Sequence, residues 1–203
     1  MLCCSALPAE GAAPALGAAV AVVAAGLISP IATLVLVALT LLPAILYFGI
    51  HVVEGEAITP RSLFKVASNT KAMTTALLAR LVDRGLLAWD DPVIRHLPDF
   101  RMHDPWVTRE IQVRDLLIHN SGLEPGAGDL MLWPEPNHFT REDVVAGLAH
   151  LKPLHSFRSR YAYDNTLYIV AGEVAAAAGG ASYEELMERE VFAPLGMSRC
   201  EAG

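Results

Sequence analysis

A serine and a lysine three residues apart stand at the start of the clearest helical stretch in the chain. Ser68 and Lys71 are followed by residues 72–84, which contain neither glycine nor proline, and then by Gly85. Strong helix formers closed by a glycine predict a helix that ends there. On a helix, this spacing places the hydroxyl and the amine on one face. A lysine whose ammonium form is disfavoured by burial can activate a serine, so the pattern predicts a nucleophile at Ser68.

Ser68 also has a structural interpretation, as the N-cap residue of that helix, where serine is common. A second Ser-x-x-Lys pair exists at Ser62 and Lys65, but the run at residues 63–67 is short and favours a strand. The free N–H groups and the dipole at the start of the longer helix favour developing negative charge. The sequence therefore favours Ser68 over Ser62 as the nucleophile.

A tyrosine and an asparagine two residues apart form the second motif. Tyr163 and Asn165 precede residues 166–173, which predict the start of an apolar helix. From a loop, a phenol and an amide can point at one place, where the phenol relays protons and the amide holds a substrate carbonyl. The alternatives are a core aromatic for Tyr163 and a turn or cap residue for Asn165.

With these motifs in order, the chain resembles the serine β-lactamase-like family: class C β-lactamases, DD-peptidases of the penicillin-binding-protein type, and related esterases and D-aminopeptidases. The matching stretches are residues 64–71, 81–87, 90–93, 116–123, 163–165 and 192–197. The resemblance implies an α/β (α+β) fold of the β-lactamase/transpeptidase type, with a helical subdomain packed on an antiparallel sheet. We expect this fold in residues 58–203, after an apolar N-terminal segment at residues 1–57.

The resemblance also implies roles for the residues of both motifs. Ser68 corresponds to the acylated nucleophile, Lys71 to its proton acceptor or electrostatic partner, and Tyr163 to the tyrosine that shuttles protons. Asn165 corresponds to the residue that orients the substrate amide and contacts the lysine. A histidine and a serine at positions 119 and 121 match a family hallmark that we interpret as structural, and the Ser68 backbone N–H is expected in the oxyanion hole.

The family's third motif, Lys-Thr-Gly or His-x-Gly on a sheet strand, has no match in this sequence. None of Lys65, Lys71 and Lys152 is followed by Thr-Gly. We therefore expect an incomplete sheet, as in the N-terminal part of a larger protein, a truncated product or a degraded copy. The absence of one oxyanion donor typically costs about 10²–10³ in rate, so we expect weak activity at best from residues 1–203 alone.

The N-terminal segment is unusually apolar. Residues 11–50 carry no charge, and residues 31–50 match the roughly 20 apolar residues that a membrane-spanning helix needs. They predict a membrane anchor, and the alternative is an early sheet strand followed by a buried segment. The nearest basic residues, Arg61 and Lys65, would place the domain in the cytoplasm by the positive-inside rule, whereas the resemblance implies an extracytoplasmic, periplasmic location.

Composition narrows the remaining function classes. The chain has 15 Lys and Arg against 22 Asp and Glu, which argues against nucleic acid as a partner. Three cysteines, at positions 3, 4 and 200, suggest no disulfide framework. No zinc-binding His-Glu-x-x-His or Cys/His cluster occurs, and we expect neither a metal nor a cofactor.

Three functions follow from the sequence. The first is a serine hydrolase that forms an acyl-enzyme on Ser68 with a small-molecule or peptide substrate, whether an amide, an ester or a β-lactam. The second is a non-catalytic relative that binds such ligands, and the third is an inactive fragment. Family members with the same four site residues differ in substrate, so the motifs do not choose among the three bond types.

Overall fold

The computed structural model describes residues 3–5, 59, 61–134 and 136–202 of the 203-residue chain. The chain forms two compact units, one of residues 4–64 and one of residues 65–203 with residues 1–3. In the smaller unit, a local turn joins Thr59 to Ser62, because the Ser62 N–H donates to the Thr59 carbonyl at 3.0 Å. The larger unit holds all four candidate site residues.

Helices dominate the described part of the larger unit. The α-helices are α1 (Asn69–Asp83), α2 (Val93–His96), α3 (Pro105–Glu110), α4 (Arg141–Gly147), α5 (Thr166–Gly179) and α6 (Tyr183–Met187). Short 3₁₀ turns lie at Val113–Leu116, Asp129–Met131, Leu148–His150 and Ala193–Leu195, and a π-helical turn lies at Glu188–Phe192. The described strands, each of two or three residues, are β1 (Cys3–Ser5), β2 (Leu63–Lys65) and β3 (Cys200–Glu201).

The helix predicted after Ser68 is confirmed as α1. It buries Leu77, Leu78 and Leu81 on one face, and its chain turns away at Gly85, whose φ of +69° is readily adopted only by glycine. The strand predicted at Leu63 is confirmed as β2. The sequence also predicts that the helix ending at residues 174–180 has a glycine C-cap, and Gly180 follows α5 with a φ of +65°.

The hydrophobic core lies where α1 packs against α5 and against the segment from α6 through the π-helical turn. Side chains of α5 such as Leu167, Val170 and Val174 are completely buried, as are Leu77 and Leu81 of α1. Because both helices carry a candidate motif at their N-terminal ends, their packing determines how the two motifs meet.

Three expectations need correction or lie outside the described residues. A single amphipathic helix is predicted from Tyr183 to Glu190, but the α-helix ends at Met187 and a π-helical turn follows. This widened turn buries Glu190, Val191 and Phe192 together.

The cysteine prediction is wrong at Cys200, which is disulfide-bonded. Sequence spacing does not measure the distance between two thiols in the folded chain, and that distance decides whether they can be bridged.

The predicted membrane segment at residues 31–50 lies outside the described residues. Within residues 61–134 and 136–202, every helix is too short or too polar to cross a lipid bilayer.

Candidate active site

Ser68 occupies the N-cap position of α1 but does not act as a cap. Its side chain makes no capping hydrogen bond, and its hydroxyl instead shares a 2.8 Å hydrogen bond with the Tyr163 hydroxyl. Ala67, just before it, has a φ of +46°, a left-handed conformation that costs a non-glycine residue roughly 1–2 kcal/mol. The capping interpretation of Ser68 is therefore wrong, and this tight turn leaves the serine exposed.

Lys71 lies one helical turn further along α1 and faces the same point. Its Nζ donates to the Asn165 Oδ1 at 2.6 Å and lies 3.4 Å from the Ser68 Oγ. The ammonium also lies 4.7 Å from the centre of the Tyr163 ring and 5.3 Å from that of Tyr168, within the range of cation–π attraction. The half-buried lysine is thus held by an amide and two aromatic faces against the serine.

The Tyr163 hydroxyl has an unusual electrostatic environment. Burial alone would raise the pKa of Tyr163, but hydrogen bonds with Lys71 and Ser68, together with the Lys71 charge, outweigh it and lower that pKa below 10.0. A phenol with a lowered pKa is a better proton acceptor near neutral pH. The alternative of a purely structural core aromatic does not fit a half-buried ring whose hydroxyl contacts Ser68.

Asn165 stands at the N-cap position of α5, yet its side chain makes no capping hydrogen bond. Its Oδ1 accepts from Lys71, and its Nδ2 donates to both carboxylate oxygens of Asp129, at 3.0 and 3.2 Å. The neighbouring Asp164 caps the helix instead, by accepting from the Thr166 N–H at 2.8 Å. The cap interpretation of Asn165 is therefore wrong, and its amide is free to hold the lysine.

Asp129 and Tyr168 belong to the site, although the sequence motifs do not include them. Asp129 begins a 3₁₀ turn in the loop at residues 124–137, which sequence alone leaves undecided between a substrate-lining loop and a surface connection. Tyr168 lies one turn after Asn165 on α5, with its hydroxyl on the Leu117 carbonyl at 3.0 Å. Only the helical spacing from Asn165 could have indicated Tyr168 in advance.

His119 packs against the Tyr163 ring and contacts the backbone of Asp164. Its ring is buried with its centre 4.6 Å from that of Tyr163, and its Nδ1 accepts from the Asp164 N–H at 3.2 Å. Burial and then the nearby Lys71 charge lower the pKa of His119, with the Asp164 hydrogen bond acting in the opposite direction. Ser121 is also buried, and its Oγ accepts from the Leu123 N–H at 3.2 Å. These contacts agree with the structural interpretation of both residues.

A cavity of about 280 Å³ opens beside the serine. It runs between α1 and α5, with Ser68, Lys71 and Asn165 at one end. Leu132 and Trp133 of the 124–137 loop line it, which gives that loop a place at the site. No group of three or more His, Cys, Asp or Glu side chains that could hold a metal ion occurs among the described residues.

A hydroxyl held by both an amine and a phenol, beside a cavity, is an arrangement suited to nucleophilic attack. The Tyr163 Oη at 2.8 Å, or the Lys71 Nζ at 3.4 Å in its neutral amine form, lies close enough to the Ser68 Oγ to accept its proton. The Lys71 Nζ donates to Asn165, whose amide in turn donates to the Asp129 carboxylate. The helical fold thus brings a serine, a lysine, a tyrosine and an asparagine together beside a cavity.

Comparison with known proteins identifies the family. The Beta-lactamase family model matches residues 11–203, and the chain belongs to that family. The predicted membership of the serine β-lactamase-like family is thereby confirmed.

Named relatives extend this result. Penicillin-binding protein 4 of Amycolatopsis lactamdurans is 31% identical over 154 residues, covering 73% of this chain and 38% of the relative. The D-alanyl-D-alanine-carboxypeptidase/endopeptidase AmpH of Escherichia coli is 29% identical over 151 residues, covering 70% of this chain and 38% of the relative.

A solved structure supports the same fold. The D-amino acid amidase of Ochrobactrum anthropi superposes with a TM-score of 0.59 at 29% identity, over 71% of this chain and 40% of the amidase. The β-lactamase/transpeptidase-like fold with substantial helical content is confirmed. The chain spans less than two fifths of the length of the two curated relatives named above.

Proposed function

We propose that this chain carries the acylation site of a serine hydrolase, with Ser68 as nucleophile. The observation that carries the proposal is the pair of contacts on the Ser68 Oγ: 2.8 Å to the Tyr163 Oη and 3.4 Å to the Lys71 Nζ. A serine hydroxyl is a weak nucleophile unless a neighbouring base takes its proton, and here two candidate bases contact it.

The reaction would proceed by acyl transfer. As the Ser68 Oγ bonds to the substrate carbonyl carbon, its proton passes to Tyr163 or Lys71, and the carbonyl oxygen becomes an oxyanion. The Ser68 N–H, at the start of α1, is placed where the helix dipole favours that charge. When the bond from carbon to the leaving nitrogen or oxygen breaks, the proton passes to the leaving group and the acyl group stays on Ser68.

The proposed substrate is a small molecule or peptide with an amide, ester or β-lactam bond. The relatives named as a carboxypeptidase/endopeptidase and as a D-amino acid amidase support an amide or peptide bond. Asn165 is proposed as the residue that orients the substrate amide.

We further propose that the protein acts at the membrane or outside the cytoplasm. The disulfide at Cys200 supports this location, because disulfides persist chiefly in oxidising compartments.

The test is intact-protein mass spectrometry after exposure to a fluorophosphonate and, separately, to a penicillin. We expect one covalent adduct that peptide mapping places on Ser68. Ser68→Ala should lower the labelling rate by at least about 10³-fold, since the nucleophile itself is removed. Ser62→Ala removes the serine of the other Ser-x-x-Lys pair and should label at the wild-type rate.

Folded protein that gives no adduct with either reagent would overturn the catalytic proposal. The remaining function would then be a non-catalytic binding protein of the same fold, or an inactive fragment. Labelling that persists in Ser68→Ala would show that a different residue is the nucleophile.

A further inference from the structure

The cavity beside Ser68 has two chemically different ends. Ser68 and Lys71 line it beside the N-cap of α5, and Ile169 and Leu132 contribute apolar surface to its wall. The other end is polar and is lined by Arg141, Glu173 and Tyr183. The part of a ligand nearest to Ser68 would therefore contact the apolar residues, and its far end would contact the charged ones.

Most groups at the polar end already have partners. The Arg141 guanidinium is hydrogen-bonded to Glu184 and lies 5.4 Å from the centre of the Tyr183 ring. The Tyr183 hydroxyl shares a 2.8 Å hydrogen bond with the Thr74 hydroxyl. These contacts fix the guanidinium and the phenol in place. One other side chain at this end makes fewer polar contacts.

That side chain is Glu173, a half-buried residue on the cavity wall. Its closest ion-pair contact is the Arg141 Nη1 at 3.8 Å, and it makes no hydrogen bond to any residue in the described part of the chain. Burial raises the pKa of Glu173, and the Arg141 charge only partly offsets this. The carboxylates of Glu173 and Glu184 both lie near one guanidinium, so acidic groups outnumber basic ones around this end.

The two ends are separated by a length that a substrate can span. Asn165, which holds Lys71, stands at the N-cap position of α5, and Glu173 lies eight residues further along, in the middle of that helix. Eight residues of α-helix rise about 12 Å. An extended ligand joined to Ser68 would therefore need about this length to reach Glu173.

We infer that this cavity binds the acyl part of the substrate and that Glu173 selects an acyl part ending in a positively charged amine. The inference rests on the proposed function of Ser68. An ammonium would supply the hydrogen-bond donors that Glu173 lacks and would add a positive charge where acidic groups outnumber basic ones. The apolar wall of the cavity would contact the methylene stem that carries this ammonium.

The experiment compares three fluorophosphonates with alkyl tails of equal length that end in a methyl, an ammonium or a carboxylate. In each case the Ser68 Oγ bonds to phosphorus and fluoride leaves, so the rate of Ser68 adduct formation reports on tail recognition alone. A series of tail lengths around 12 Å brackets the distance estimated from the helical rise. The full chain is used at low ionic strength, where charge effects are largest.

We expect the ammonium probe to label Ser68 about three to ten times faster than the methyl probe, and the carboxylate probe to be slowest. Glu173→Gln should bring the ammonium-to-methyl labelling ratio to about one, because the amide carries no charge, and urea unfolding of the variant checks that it is folded. Glu188→Gln removes an exposed acid outside the cavity and should keep the wild-type ratio.

Three results would overturn the inference. Equal labelling by the methyl and ammonium probes would show no selection for a cation, and faster labelling by the carboxylate probe would assign recognition to Arg141. An ammonium preference that survives Glu173→Gln would place the selection elsewhere. A complete lack of Ser68 adduct with all three probes would be the distinct failure of the proposed function itself.

Discussion

At the scale of single residues, the contacts of the Ser68 hydroxyl distinguish it from the hydroxyl of an ordinary helix-capping serine. The position of Ser68 at the start of α1 is that of a capping serine, but its hydroxyl is directed to Tyr163, 95 residues further along the chain. The same contrast holds at Asn165, which occupies an N-cap position and uses its amide to bind Lys71 and Asp129. Both residues give up a capping bond for contacts at the site.

Tyr163→Phe should slow fluorophosphonate labelling of Ser68 by about 10²-fold, the lower end of the range for general acid–base groups. In the wild type, the labelling rate should rise with pH as Tyr163 loses its proton, at a pH below the ordinary phenol value of 10.0, because Lys71 and Ser68 outweigh the effect of burial. The variant should lack that rise. Rates measured from neutral to alkaline pH check both expectations.

Tyr161→Phe is the matched control, since Tyr161 is exposed and makes no hydrogen bond to Ser68. It should keep the wild-type rate and pH profile. An unchanged profile in Tyr163→Phe would remove Tyr163 from the proton-transfer step.

His119 should make the folded protein sensitive to acid. Its pKa lies below the ordinary 6.5, first through burial and then through the Lys71 charge, so the unfolded chain takes up a proton before the folded one does. The contribution of neutral His119 to the free energy of unfolding is therefore complete above pH 6.5, and it declines as the pH falls towards the lowered pKa of the folded state. His119→Gln, which keeps an acceptor for the Asp164 N–H, should lose less stability over this interval.

Urea denaturation of both proteins at several pH values between neutral and mildly acidic measures this difference. His138, which is exposed, provides the control variant His138→Gln, for which we expect the wild-type pH dependence. Parallel wild-type and His119→Gln curves would contradict the prediction.

At the scale of elements, α5 depends on a cap that stands one residue before its N-cap position. The Asp164 Oδ1 accepts from the Thr166 N–H at 2.8 Å, the Thr166 hydroxyl at 2.7 Å and the Leu167 N–H at 3.3 Å. The buried Oδ2 has no partner among the described residues, and burial raises the pKa of Asp164. One oxygen therefore provides the cap, which leaves Asn165 available to the site.

Asp164→Ala should destabilise the protein by about 2 kcal/mol, because it removes the cap and leaves buried donors without an acceptor. Asp164→Asn retains one carbonyl oxygen and should cost less. Equilibrium unfolding in urea compares the two, with Asp99→Ala as an exposed control that should be near neutral. Equal losses for the Asn and Ala variants would show that the charge, and not the single oxygen, is needed.

At the scale of the whole molecule, one buried carboxylate joins α1 to the end of the helical segment that follows α5. Glu190, only 4% exposed, is paired with Arg80 at 3.3 Å, with Arg189 at 2.9 Å and with Arg84. Arg80 and Arg84 lie at the C-terminal end of α1, and the π-helical turn brings Glu190 towards them. This cluster anchors α1, which carries Ser68 at its other end.

Glu190→Gln should cost about 3 kcal/mol at neutral pH, the lower end for a buried pair, because the arginines are half exposed and can be rehydrated. The Arg189 hydrogen bond lowers the pKa of Glu190 against the effect of burial, and Arg84 and Arg80 lower it further. The stabilisation is therefore present above pH 4.5 and is lost as the pH falls through the lowered pKa of the folded state.

Unfolding of wild type and variant at neutral and acidic pH measures this loss, and the stability difference should shrink below pH 4.5. Glu188→Gln, an exposed residue of the same turn, should change stability little at any pH. A difference that is constant with pH would mean that the carboxylate charge contributes nothing to the cluster.

Several features of the fold could be predicted from the sequence because they depend on neighbouring residues. The bounds of α1, its glycine stop at Gly85 and the glycine after α5 follow from propensity and backbone freedom. The approach of Ser68 and Lys71 follows from helical spacing. The π-helical turn at Glu188–Phe192 did not follow, because burial of its side chains overrides local preference.

By itself the sequence determined most local elements, the family and the four candidate residues Ser68, Lys71, Tyr163 and Asn165, since these rest on residue patterns and their order along the chain. Only the tertiary structure decided that Tyr163 and Asn165 meet Ser68 and Lys71. It also decided that Asp129 holds the Asn165 amide and that Asp164 frees Asn165 from capping. The physical reason is that a hydroxyl or amide has several local and distant partners of similar energy. The packing of α1 against α5 determines which of those partners lies within hydrogen-bonding distance.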